Sequence, residues 1–343
     1  MRSWSTPLTN SKLSMPAEWE PHEKTWMAWP SASYTLGETD ADASEAYETW
    51  ASVANAIVNF EPVTMLARGV DLEIAQRYLD PRVQIIEFEL NDGWMRDIGP
   101  TFVKNESGQL VAIDWVFNGW GAQGGWASWD RDDKVAEFIA SQVGAENTRS
   151  WLVNEGGGIH VNGAGTVLLT ETVQLGKGRN PGKTRAEIEA EIHAKLGTSK
   201  AVWIKRGLTR DYEEFGTQGH IDIVACFVNE HTVLFHDQTN PEHPDFEVSK
   251  EVKTTLEAAG LKTIALPAPN VLRDEHDWVD YSYVNHYLVN GGVILCAFED
   301  ERDAEAAAIL KSCYPEREVI LVGARALFAR GGGIHCITQQ QPK

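Results

Sequence analysis

The chain is short of positive charge. Its 343 residues include 30 lysines and arginines against 50 aspartates and glutamates, a formal net charge of −20. That imbalance argues against a nucleic-acid partner, whose phosphates demand lysine and arginine. It suits a small cationic ligand, although acidic surfaces also serve solubility alone. Cysteine is scarce: Cys226, Cys296, Cys313 and Cys336 include no C-x-x-C pair and no zinc-ligand spacing. In a reducing compartment they are expected to be free thiols. Long apolar runs are missing, and stretches such as Gly291 to Phe298 fall far short of the ~20 residues of a membrane helix. The polar segment Met1 to Ser14 lacks the apolar core of a secretory signal and is expected to be flexible. No Pro, Gly or Ser linker divides the chain, so 1–343 reads as one domain, cytoplasmic and without a membrane partner.

Against these absences stands a repeat. Gly156-Gly157-Gly158-Ile159-His160 recurs as Gly331-Gly332-Gly333-Ile334-His335, followed by Val161 in the first copy and Cys336 in the second. Such internal similarity marks one supersecondary unit used more than once. The glycines allow close approach of backbone to a ligand, and the thiol of the second copy points to cysteine chemistry. Cys226 and Cys296 lie in apolar runs and read as core residues, and Cys313 lies in a surface-like segment.

The repeat extends beyond glycine. Polar openings near Asp97, Glu155, His220 and Tyr283 each lead into two short strands joined by a turn, with Asn162-Gly163 and Asn290-Gly291 as hairpin signals. Helices are predicted over Asp132–Val143, Thr184–Leu196, Ser249–Ala259 and Asp303–Ser312, the last capped by Asp303. Closing strands follow at Val202–Ile204, Thr263–Ala265 and Val319–Leu321. A fifth opening at Gly331 leaves too little chain for a module. Pairing with the N-terminal Lys24–Pro30 would complete it and remove exposed sheet edges. The expected fold is α/β, with pseudo-fivefold ββαβ modules in a ring.

If the openings face one axis, Asp97, Glu155, His220, Asp222 and Cys336 converge. Paired carboxylates grip a planar guanidinium through parallel hydrogen bonds. A thiolate could attack its central carbon, and an imidazole could protonate the leaving amine and then deprotonate water. Taken singly, each residue has a plainer reading: Arg96-Asp97 as a surface ion pair, Glu155 as a turn cap, His160, His220 and His335 as structural histidines. Their equivalent positions in a repeat favour the chemical one.

Trp94 to Pro100, Asp114 to Gly121, Glu155-Gly156-Gly157, Gly219-His220-Ile221-Asp222 and Gly332 to Gln340 resemble the agmatine deiminase family, which includes bacterial peptidylarginine deiminases. Met15 to Trp19 and His22 to Pro30 resemble its N-terminal signature. The resemblance runs from about residue 15 to the end. It implies the pentein fold, a five-bladed α/β propeller. It implies attack by Cys336 on agmatine, an amidino-cysteine intermediate, and release of ammonia and N-carbamoylputrescine. Asp97 and Asp222 match the guanidinium-binding carboxylates, His220 the general acid/base, and Glu155 the acid beside it. No metal or organic cofactor is implied. Gly333 and Ile223 stand where the family commonly has asparagine, and the loop Arg206 to Gln218 is longer than usual.

For the substrate's amine end, Trp94 and Trp120 are candidates to pack on the methylene chain, and Asp211, Glu213 and Glu214 to face the ammonium. Arginine in peptides and other alkylguanidines are alternative substrates. A metal-dependent hydrolase built on Asp97, His220 and Asp222 lacks paired histidine ligands. A non-enzymatic propeller would have no use for the thiol. The sequence leaves room for a homo-oligomer.

Overall fold

The computed structural model describes residues 12–343 apart from positions 32, 124, 275 and 276. Its strands form five sheets. Four have three strands each, and in all four an antiparallel hairpin is followed by a parallel third strand. A parallel neighbour requires a crossover, and a helix supplies it each time. The first of these sheets comprises Thr101–Lys104, Leu110–Val116 and Glu146–Val153, crossed by helix Val135–Val143. In the second, Ile159–Val161, Thr166–Thr170 and Lys200–Ile204 are crossed by Arg185–Leu196. Ala225–Asn229, Thr232–Asp237 and Lys262–Pro267 are crossed by Asp245–Ala258. Tyr287–Val289, Gly292–Ala297 and Glu318–Gly323 are crossed by Arg302–Cys313.

The fifth sheet joins the two ends of the chain. Gln339–Pro342 pairs antiparallel with His22–Ala28, which pairs parallel with Val63–Ala67 after helix Asp40–Ile57. This is the expected completion of the module begun at Gly331. An additional outer strand, Gln84–Glu87, was not anticipated.

Local chemistry explains the boundaries. Helix Arg185–Leu196 starts on a capping box, in which Thr184 Oγ1 accepts from the Glu187 amide and Glu187 accepts from the Thr184 amide. Helix Asp245–Ala258 begins four residues before the predicted Ser249, because Pro244 sits at the helix N-terminus, where a proline is tolerated. Asp303 does not cap its helix as a preceding residue. It lies in the first turn and accepts from the Phe298 and Asp300 amides and from Tyr283 Oη. The predicted strand from Tyr283 shortens to Tyr287–Val289.

Of the N-terminal segment expected to be flexible, residues 1–11 lie outside the described residues. Ser14 is pinned by two backbone hydrogen bonds to Lys104, and the Met15 amide donates to Leu196 O. The arm then delivers Glu18 to the interior. Among the described residues, no helix is long and apolar enough to cross a membrane. Cys226 and Cys296 are buried as expected, and Cys313 is partly buried.

The seam between the chain ends should be sensitive to one polar contact. Trp26 is buried and its Nε1 donates to Gln341 Oε1 at 2.9 Å. Gln341→Leu should cost about 1–3 kcal/mol by leaving that donor unsatisfied. The check is the urea midpoint, and an unchanged midpoint would mean that the indole finds another acceptor.

Candidate active site

Each opening residue lies on or beside a short turn just ahead of the first strand of a sheet. Asp97 is in Met95–Ile98, Glu155 precedes Gly156–Gly158, His220 precedes Ile221–Ile223 with Asp222 inside it, and Cys336 is in His335–Ile337. In the remaining sheet the corresponding place, before Tyr287–Val289, is held by Asn285. The turns contact one another in chain order. The Gly157 amide donates to Asp97 Oδ1 at 3.0 Å, and His220 Nε2 lies 3.2 Å from Glu155 Oε2. Asn285 Nδ2 donates to Asp222 O at 3.3 Å, the His335 amide donates to Asn285 Oδ1 at 2.9 Å, and Arg96 Nε donates to His335 O at 3.3 Å. The last contact returns to the first turn.

The repeated glycines let these groups meet. A Cβ on Gly157 would stand 2.5 Å from His220 Nδ1 and 3.0 Å from carboxylate oxygens of both Asp97 and Asp222. A Cβ on Gly332 would stand 2.6 Å from the Trp94 ring and 3.1 Å from Cys336 Sγ. The structure therefore brings Asp97, Glu155, His220, Asp222 and Cys336 into one buried cluster. Sγ lies 3.5 Å from Asp222 Oδ2 and accepts from Asn285 Nδ2 at 3.3 Å.

Its electrostatics follow from burial and proximity. Burial pushes the Cys336 thiol well above its usual range, and the charges of Asp222 and Asp97 push it further. Burial opposes a charge on His220, but Asp97 and Glu155 outweigh it and raise the imidazole to about 9. Burial raises Asp97 to about 6, with Glu155 and Asp222 adding to the rise and His220 opposing it. Glu155 stays below its ordinary range despite burial, because Arg179 and His220 hold it ionised. Asp222 does likewise through His335, His220 and Arg96.

Several residues in this arrangement went unrecognised from sequence. Arg179 Nε donates to both Glu155 oxygens at 2.9 Å, and its Nη2 donates to Thr217 O. Arg96 is buried and turned from Asp97 toward Glu18, 3.5 Å away, so the surface ion pair is absent. His335, read singly as structural, joins the cluster through Asp222. Asn285 sits at a module opening, and that position was the available signal. Glu18 lies in the Met15–Trp19 signature, whereas Arg179 offered no signal, and both reach the site from distant segments.

The amine-end candidates divide. Asp211 is buried and turned into its own loop, where it accepts from the amides of Thr217, Gly219 and His220. Those bonds engage both carboxylate oxygens, while the residue still lines the cavity beside Glu213 and Glu214. Trp120 Nε1 donates to Asp97 Oδ2 at 2.8 Å, so its polar edge orients the carboxylate instead of only packing on a chain. The residue is held at φ 55, a left-handed conformation that persists only where its surroundings enforce it. Trp94 lies beside Cys336, across Gly332. Glu213 and Glu214 are exposed and line a cavity of about 280 Å³ with Asp211, Phe215, Asp280, Gly331 and Arg210, whose guanidinium is paired with Asp274. Among the described residues, no group of three or more histidines, cysteines or carboxylates is arranged to hold a metal ion.

The model of the Porphyromonas-type peptidyl-arginine deiminase family matches residues 14–342. The chain belongs to that family. A Streptomyces avermitilis relative, provisionally named an agmatine deiminase, is 54% identical over 99% of both chains. The agmatine deiminase of Pseudomonas aeruginosa (strain LESB58) is 39% identical over 98% of this chain and 97% of its own. Among solved structures of the family, the agmatine deiminase of Enterococcus faecalis superposes with a TM-score of 0.91 and 31% identity, covering 100% of this chain and 99% of that one. The mixed α/β fold is the fold of these structures.

The raised imidazole links site and stability. His220 moves from its ordinary 6.5 to about 9 in the fold. Its protonation therefore stabilises the protein fully below pH 6.5, and that contribution is lost as pH rises through about 9. His220→Gln should flatten the fall in urea midpoint between those pH values. An equal fall in both proteins would show that other groups carry it.

Proposed function

We propose that this chain is an agmatine deiminase, a single pentein catalytic domain in which Cys336 hydrolyses the guanidino group of agmatine to N-carbamoylputrescine and ammonia. The observation that carries the reading is a pair of unmatched polar atoms. Asp222 Oδ1 and His220 Nδ1 are buried without hydrogen-bond partners, in the cluster that holds Asp97 and the Cys336 thiol. A buried polar atom without a partner is costly, so a site of this kind is organised for a ligand that supplies one. A guanidinium supplies the donor that Asp222 Oδ1 lacks, and the unmatched His220 Nδ1 is left to donate to a departing nitrogen. The names of the relatives support agmatine as its source. The ring of contacts between opening turns and the pairing of the chain ends support the five-bladed propeller.

The chemistry follows from charge. Asp222 and Asp97 raise the thiol, and a guanidinium seated between them cancels that effect, so arrival of substrate favours the thiolate. The thiol proton leaves to solvent as the cation arrives, and Sγ attacks the guanidino carbon as the thiolate. The protonated His220, held by Glu155, donates through Nδ1 to the departing nitrogen, and ammonia leaves. His220 then removes a proton from water, which attacks the amidino carbon. Collapse breaks the C–S bond and releases the ureido product with the thiol restored.

The cavity at Glu213 and Glu214 fits the amine end. It begins at Gly331, one residue from the glycine against Cys336. Asp280 Oδ1 is buried there without a partner, and burial followed by the charge of Asp211 raises the carboxyl to about 7. An ammonium would restore its charge.

Ureido product should form from agmatine in preference to arginine, a blocked arginine peptide and uncharged-tail alkylguanidines. Preference for the blocked peptide would assign the other activity. Cys336→Ser should abolish turnover in a folded protein, since a serine alkoxide is far harder to form than a thiolate. Turnover within about tenfold of the parent, or 1.4 kcal/mol of barrier, would remove Cys336 from that role. Replacing Glu213 and Glu214 together by glutamine should raise KM for agmatine and leave an uncharged-tail alkylguanidine unaffected.

A further inference from the structure

We infer that Glu18 and His335 form a positioning pair for Asp222, a buried carboxylate–imidazole link that fixes Asp222 beside Cys336 and leaves one of its oxygens free for the substrate cation. The inference rests on the proposed role of Asp222 as a guanidinium ligand. His335 Nδ1 lies 2.9 Å from Asp222 Oδ2, and His335 Nε2 lies 2.9 Å from Glu18 Oε1. Because both ring nitrogens face carboxylates, the imidazolium is the form that satisfies both contacts. With Oδ2 held, Asp222 cannot rotate freely, and Oδ1 remains the unmatched acceptor.

Two neighbouring histidines show that this arrangement is specific. His160 Nε2 is 3.8 Å from Glu18, and its Nδ1 accepts from the Phe227 amide at 3.3 Å. His286 Nδ1 lies 3.0 Å from Tyr283 O. Burial lowers each of these imidazoles to about 4, so both are neutral. His335 moves the other way. Burial and the Arg96 cation oppose its charge, but Glu18 and Asp222 together raise it. The groups around His335 are thus two carboxylates, one guanidinium and two neutral imidazoles, with the buried Cys226 thiol lining the same small space.

Glu18 is itself held in place. Its carbonyl oxygen is 2.9 Å from His22 Nε2, and His22 Nδ1 is 3.1 Å from Glu61 Oε1. The N-terminal arm thereby reaches the residue preceding the nucleophile across more than 300 positions of sequence. His335 has a second tie, from its amide to Asn285 Oδ1.

The test is the rate at which iodoacetamide alkylates Cys336, followed by peptide mass, in His335→Gln and Glu18→Gln. Without the imidazolium, only His220 and Arg96 offset the Asp222 charge 3.5 Å from Sγ, and thiolate formation becomes harder. The rate at pH 8 should fall about tenfold or more in His335→Gln, corresponding to one or more pKa units. A smaller fall in the same direction is expected in Glu18→Gln, where His335 loses its second counter-charge. KM for the substrate turned over by the parent should rise in parallel. An unchanged or faster alkylation rate with only a lowered melting temperature would overturn the proposal and make the pair purely structural. If His335→Gln fails to fold, Glu18→Gln decides alone. A parent that hydrolyses no guanidino compound would overturn the proposed function, while the alkylation rates would still show whether the pair acts on Cys336 through Asp222.

Discussion

The site depends on a balance of buried charge. Glu18, Asp97, Glu155 and Asp222 are all buried, and so are Arg96, Arg179, His220 and His335, which face them. The desolvation of each ion is expensive, and only close pairing with hydrogen bonds offsets it. Two of the four cations are imidazoles whose charge persists because carboxylates surround them. Most contacts in the cluster are consistent with that balance: Arg179 is used up by Glu155, His335 by Asp222 and Glu18. Asp97 shares the His220 imidazolium, 3.8 Å away, with Glu155, and takes its hydrogen bonds from the Trp120 indole and the Gly157 amide. Burial raises its pKa, and the shared imidazolium offsets that only in part against Glu155 and Asp222, which leaves a deficit of positive charge.

That deficit suits a substrate that is itself a cation. The same two carboxylates that disfavour the thiolate would be neutralised by a bound guanidinium, and in the proposed reaction binding and activation of Cys336 would then be one event. The scaffold supports this by leaving no room for side chains at Gly157 and Gly332, so that backbone rather than bulk separates the functional groups. The strained Trp120 is consistent with a site whose geometry is held by its surroundings, because Asn118 accepts from the Gly121 amide and the indole is anchored on Asp97.

Much of the fold was legible because each module repeats a local signal. Asn162-Gly163 and Asn290-Gly291 turn hairpins, Thr184 with Glu187 starts a helix, and alternating apolar runs make strands, all within a few residues. The pairing of Gln339–Pro342 with His22–Ala28 was also legible, since the incomplete fifth module required a partner. The strand Gln84–Glu87 was not, because it is four residues long and has no hairpin or repeat to announce it. The loop 206–218 misled for a different reason. Its three acids look equivalent in sequence, but Asp211 caps three backbone amides while Glu213 and Glu214 remain exposed.

By itself, the sequence determined which residues stand at the module openings, because the repeat is covalent and its glycines, histidines and single cysteine occupy equivalent places. Tertiary structure alone decided how those residues are charged and what holds them. Glu18 and Arg179 reach the cluster from segments far apart in the chain, and ionisation inside a protein depends on distance and desolvation rather than on sequence position. The division between His335, linked to two carboxylates, and His160, its counterpart in the first glycine repeat, is the clearest case. Identical local sequence precedes both, yet His160 lies in a strand and His335 in a turn that packs it between Asp222 and Glu18.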